Sequence, residues 1–197
     1  MQGQVAVRGK LGVKVIRAAG PGIAYKIKNF PNVWGGLWRH TLARTLNMNH
    51  MLGSLYAQLT KKDGRVVKYG LISTHLVTDA FVEFMVDQLQ TETSEWGDFK
   101  YHDSGVGTTG AAVGDTDIET TDGESRATGS QTEGASAEIY KSVGTISYTS
   151  TKAITEHGLF SQSAGTTLMD RHVFSAINVE NGDSIEFTYQ LTCSSGG

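Results

Sequence analysis

The sequence holds one cysteine, Cys193, in 197 residues. Intramolecular disulfides and cysteine-cluster zinc sites are thereby excluded, and a reducing compartment is expected. Proline is nearly as scarce, two residues against 24 glycines, so the chain turns on flexible backbone, as sandwiches and barrels do. No apolar run approaches the roughly 20 residues of a membrane span. Residues 1–5 lack the charged-then-apolar pattern of a secretory leader, and no such signal is expected. Acids are missing from the first 62 residues. Residues 1–70 carry 12 Lys and Arg against Asp63 alone, a balance of +11; residues 71–197 carry 5 against 19 Asp and Glu, a balance of −14. Either the basic part docks on an acidic surface (nucleic acid, a neighbouring protein or another copy's acidic part), or both sets are solvated faces of one globule.

Motifs of chemistry are missing too. There is no Gly-x-Ser-x-Gly elbow and no cysteine–histidine signature. The six histidines (40, 50, 75, 102, 157, 172) have no metal-ligand spacing. His102-Asp103 and Glu156-His157 are neighbours on strand-like segments, which sends their side chains to opposite faces and denies either an acid–base pairing. Gly105-Val106-Gly107-Thr108-Thr109-Gly110 lacks the Lys-Ser/Thr ending of a phosphate loop and joins no strand to a helix. Asp115, Asp117, Glu119 and Asp122 lie close together, but Gly123 is misplaced for a calcium loop and no bidentate Glu follows. A solvated acidic loop over 111–138, with one short strand near Ile118, is the expectation. A non-enzymatic chain with no cofactor and no metal follows.

What the sequence does have is period. Val77, Phe81, Phe84, Met85 and Leu89 recur at three- and four-residue steps, widened by Val82 and Val86, and predict one prominent helix over about 76–90. Ser73 or Thr74 would cap it, with Asp79 at the positive end of its dipole. Elsewhere the period is two. Val5 to Val15 and Ile23 to Lys28 read as strands, with Gly20-Pro21-Gly22 a turn between them. Leu55–Thr60 and Val66–Leu71 flank Lys61-Lys62-Asp63-Gly64, a hairpin signal. Phe99–Asp103, Ile139–Tyr148 (with Gly144 a bulge), Ala153–Phe160 and Leu168–Phe174 are further strands. The clearest is the last, where Ile185, Phe187, Tyr189, Leu191 and Cys193 share one buried face. The fold class is mainly β: an antiparallel sandwich, jelly-roll or immunoglobulin-like, over residues 55–197, preceded by an extended basic arm, residues 1–54.

Within that arm, Trp34-Gly35-Gly36-Leu37-Trp38 is an aromatic cluster, and Trp38, Leu42 and Leu46 allow a short helix over 37–47. Rings interleaved with Arg and Lys stack on bases in some proteins. Trp beside Gly more often packs at a core edge or a protein interface, the reading preferred here. The candidate partner-binding residues are therefore Arg8, Lys10, Lys14, Arg17, Lys26, Lys28, Trp34, Trp38, Arg39 and Arg44.

Four stretches in order carry a resemblance over roughly residues 55–193. They are Lys61–Gly64 leading into Gly70–Ser73 and the helix; Phe99–His102 running into Gly105–Thr109; Ile154–Phe160 with Gly165–Ser175; and Asn178–Ile185 leading into the last strand. Together they resemble tailed-bacteriophage virion structural proteins. That resemblance implies a capsid decoration (cement) protein, with the major capsid protein and copies of itself, in a homo-oligomer or trimer, as partners and the virion as its location. A tail, neck or fibre component is the alternative, and a nucleic-acid-binding protein a second; no membrane partner is implied.

Overall fold

The structure, a computed structural model, describes residues 20–45, 50–75, 77–90, 99–165 and 167–194. It is mainly β, with two antiparallel sheets facing one another as a sandwich. The first sheet grows from the expected hairpin, β1 (His50–Thr60) and β2 (Val66–His75). Lys61 N bonds Arg65 O at 2.8 Å, and Gly64 takes φ 81°, a left-handed turn position that glycine enters at no steric cost. Beside β1 runs β9 (Ser184–Ser194), paired from Thr60–Ser184 to His50–Ser194. Then come β6 (Ile139–Ser147) and β5 (Ser130–Glu133), for an order of β2-β1-β9-β6-β5. The second sheet is β4 (Ala127–Thr128), β3 (Tyr101–Gly105), β7 (Lys152–Phe160) and β8 (Leu168–Val179), in that order.

Strand alternation puts Leu55, Leu59, Ile185 and Phe187 of one sheet against Ile154, Leu159 and Ile177 of the other, all at most 2% exposed. Each such side chain contributes about 1.5–3 kcal/mol by leaving water. Cys193 departs from the expected buried face. β9 keeps its alternation through Leu191, but Cys193 lies past the end of the packed layer and is exposed. Gly144 is no bulge either, since β6 pairs with β9 without a shift there. Its missing side chain leaves room for the ring of His102.

Two helices complete the chain. The expected one, α2 (Asp79–Gln90), starts three residues late, because Ser73 and Thr74 are spent in β2. Thr78 is its cap: its hydroxyl accepts from Phe81 N at 3.3 Å and donates to Leu168 O at 2.5 Å, and Asp79 stands in the first turn. Phe81 is buried edge-on against Phe99, whereas Val82, expected to widen the apolar stripe, is exposed. The other helix, α1 (Ile23–Thr45), takes in most of the short helix allowed over 37–47 but begins where a strand over 23–28 was expected, and it runs through Pro31. It packs on β2 and β8, neighbouring edges of the two sheets. The division at residue 54 falls inside β1. Residues 1–19, with the strand expected over 5–15, lie outside the described residues.

The glycine run and the acidic loop have a shared explanation. Gly107 N, Thr120 N and Glu119 N all donate to the buried Glu156 carboxylate at 2.8–2.9 Å, as does Arg171 Nε at 2.8 Å. The turned-in amides thus wrap an internal carboxylate, and Gly105 and Gly107 are needed because a Cβ at either would strike it. Asp115 and Glu119 pair with Arg171, at 3.0 and 3.4 Å, Asp117 with Arg126 at 3.7 Å, and Asp122 accepts from Ser104. These four acids are thus divided among three partners, and the short strands nearby are β4 and β5, not one at Ile118.

Candidate interaction surface

α1 owes its place to one face. Tyr25, Asn29, Val33 and Gly36 follow at helical steps, so they line the side turned to the sandwich. Asn29 joins the two sheets: its Nδ2 donates to Ile72 O of β2 at 2.6 Å, and its Oδ1 accepts from Ser175 N of β8 at 2.8 Å. Thr74 Oγ1 donates to Val33 O at 2.6 Å, and any side chain at Gly36 would strike Thr74. Tyr25 meets Tyr69 edge-on, with ring centres 4.8 Å apart. Both edge strands are thereby covered, which removes two templates for unwanted strand pairing.

The other face is the unusual one. Ile23, Ile27, Phe30, Trp34, Trp38 and Leu42 follow at steps of four and three along about 28 Å of helix, and all point to solvent. Their exposure runs from 47% at Leu42 to 77% at Ile23. Phe30 and Trp34 stack 5.5 Å apart, with 15° between their planes, so part of the stripe is already ordered. Lys26 lies on one flank, and Lys28 and Arg39 on the other; α1 contains no acid. A surface helix ordinarily turns polar residues outward, and a contiguous apolar stripe with a basic rim marks a binding surface.

Of the expected partner-binding residues, Lys26, Lys28, Trp34, Trp38 and Arg39 come together on this exposed surface. Arg44 belongs to α1, but its side chain is outside the described set, and Arg8, Lys10, Lys14 and Arg17 are outside the described residues. Ile23, Ile27, Phe30 and Leu42 were missed as members of the surface. Their signal was the unbroken 23-27-30-34-38-42 spacing, hidden by the strand-like alternation of 23–28 and by Pro31, Gly35 and Gly36.

No family model, curated protein or solved structure matches the chain. Beside α1 a cleft of about 280 Å³ opens between Asn32, Gly36 and Arg39 of the helix, Thr74 of β2 and Thr108 and Ala111 of the loop. Its size is at the lower end of small-molecule sites.

Polar groups also collect inside the sandwich. His102 Nε2 stands 2.9 Å from Ser142 Oγ, and His102 Nδ1 2.9 Å from His157 Nε2. His157 pairs across the β7–β8 ladder with His172, whose Nε2 stands 3.1 Å from Asp170 Oδ2 without the alignment of a hydrogen bond. Tyr189 OH donates to the same oxygen at 3.2 Å. Burial drives the His102 pKa down to about 3 and that of His157 well below the ordinary value, so both rings are neutral. The three rings, Asp170 and Tyr189 have no exposed surface, so no substrate can touch them as the chain is folded. His102 meets His157 rather than its sequence neighbour Asp103, which is taken by Arg126 at 2.9 Å.

Proposed function

We propose that this chain is a non-enzymatic structural protein that attaches to a larger protein assembly through the outward face of α1. The observation that carries the reading is the stripe from Ile23 to Leu42, apolar where a free surface helix would be polar. The sandwich supports it as a rigid platform, with Asn29 and Gly36 holding the helix so that its apolar side points away. The resemblance to tailed-phage virion proteins gives the kind of assembly: a capsid decoration (cement) protein seated on the major capsid protein lattice, located in the virion. Attachment in a tail or neck is the alternative and differs in copy number.

The test is binding of the purified chain to expanded empty heads of a phage whose virions carry it. Saturation at hundreds of copies, with a higher melting temperature of the heads, is the expected result. No binding to heads, with 6 or 12 copies per virion, assigns the chain to tail or neck. The basic rim beside Trp34 and Trp38 favours one further reading, stacking on single-stranded nucleic acid. That reading requires a steep salt dependence, the logarithm of the affinity falling linearly with the logarithm of salt concentration.

A further inference from the structure

The stripe on α1 needs an apolar surface with an acidic border, since its own flanks carry Lys26, Lys28 and Arg39 and no acid. Such a surface occurs on this chain. At the far edge of the first sheet, β5 and the turn into β6 frame a hollow of about 500 Å³. Ala137, Ile139 and Tyr140 give it apolar lining, and Glu133 and Glu138 stand at it, neither in a salt bridge among the described residues. Most acids of the 111–124 loop face Arg171, Arg126 or Lys152 instead, so these two remain for a partner. β5 is the outermost strand of that sheet and exposes all four of its residues. α1 covers β2, the opposite edge.

We propose that a second copy of this chain covers the stripe: α1 of one copy seats on the β5–β6 hollow of the next. The basic flanks of α1 meet Glu133 and Glu138, and the apolar side chains bury one another. Because donor and acceptor lie at opposite edges of one sheet, the contact is head-to-tail and repeats into a ring or a row. A symmetric pairing of two α1 helices would instead bring only basic flanks together, because α1 contains no acid. The inference rests on the reading of α1 as an attachment surface and makes the next copy, seated on the same assembly, the partner that this surface grips.

The experiment uses the full chain and measures mass by sedimentation velocity over a concentration series. Assemblies above the 21.2 kDa monomer are expected, with at least tenfold weaker association at 0.5 M than at 0.05 M salt. Trp34→Ala/Trp38→Ala removes the donor, and Glu133→Lys/Glu138→Lys the acceptor; each alone is expected to sediment as a monomer. Mixed in equal amounts they form a dimer and stop there, because one intact donor meets one intact acceptor. Lys26→Glu/Lys28→Glu added to the acceptor variant restores assembly. A glutamate variant that assembles like the wild type, or a mixture that stays monomeric, overturns the proposal. So does a monomeric wild-type chain that binds vesicles of anionic phospholipid. A wild-type chain monomeric at every concentration, whose tryptophan variant still loses its hold on heads, overturns self-assembly alone and leaves the attachment surface standing.

Discussion

Few side chains in this sandwich are as costly to bury as its histidines. His157 Nδ1 and both ring nitrogens of His172 are buried without hydrogen-bond partners among the described residues, and each such atom costs about 1–3 kcal/mol. The consequence is acid sensitivity. With the folded pKa of His102 near 3 and the unfolded value near 6.5, the unfolded chain takes up the proton first as pH falls. The stability that His102 contributes is therefore fully present above about pH 7 and is lost from 6.5 downward, by about 2 kcal/mol at pH 5. His102 and His157 both follow this course, and urea midpoints at pH 7.5 and 5.0 measure it; equal midpoints would contradict it. Asp183 acts only at lower pH. Burial opposes its ionisation, but Lys61 Nζ at 2.7 Å and the amides of Glu180 and Lys62 outweigh that and hold its carboxyl below the ordinary value. Little of this was legible in sequence. His102 and His157 are far apart in the chain, and so are the Gly105–Gly107 run and the carboxylate of Glu156 that it wraps.

α1 shows why a long element escaped a reading that found the strands. Alternation at 23–28 fits a strand as well as a helix, and Pro31 removes one helical hydrogen bond. Tertiary contacts decide for the helix, because the partners of Asn29 are Ile72 and Ser175, distant in sequence. β9 was legible because its buried face alternates from Ile185 to Leu191, and the β1–β2 hairpin and the turn into β9 were legible because they carry Gly64 and Gly182 at positive φ. The same contacts predict opposite sensitivities on the two sides of α1. Asn29→Ala strands a buried carbonyl and a buried amide and should cost about 2–4 kcal/mol. Phe30→Ala, on the outer face, should stay within about 0.5 kcal/mol. Denaturant unfolding of both variants checks the order; a larger loss at Phe30 would place the outer face in the core.

The charge asymmetry of the chain is partly resolved inside one fold. The basic hairpin β1–β2 lies in the same sheet as β9, and Lys61 and Lys62 pair with Asp183 and Glu180 at the turn before it, at 2.7 and 3.8 Å. The internal-neutralisation reading of the asymmetry therefore holds in part. Some charges are neutralised internally, whereas Lys26, Lys28 and Arg39 on α1 stay exposed beside an apolar stripe. That stripe is the part of the structure that folding alone leaves unexplained, and the proposed function depends on it. The most direct measurement pairs the melting temperature of free Trp34→Ala/Trp38→Ala with its binding to the assembled particle. An attachment face predicts a melting temperature within about 2 °C of wild type and binding weakened at least a hundredfold. Wild-type binding by the variant, or a collapse of its melting temperature, would contradict it.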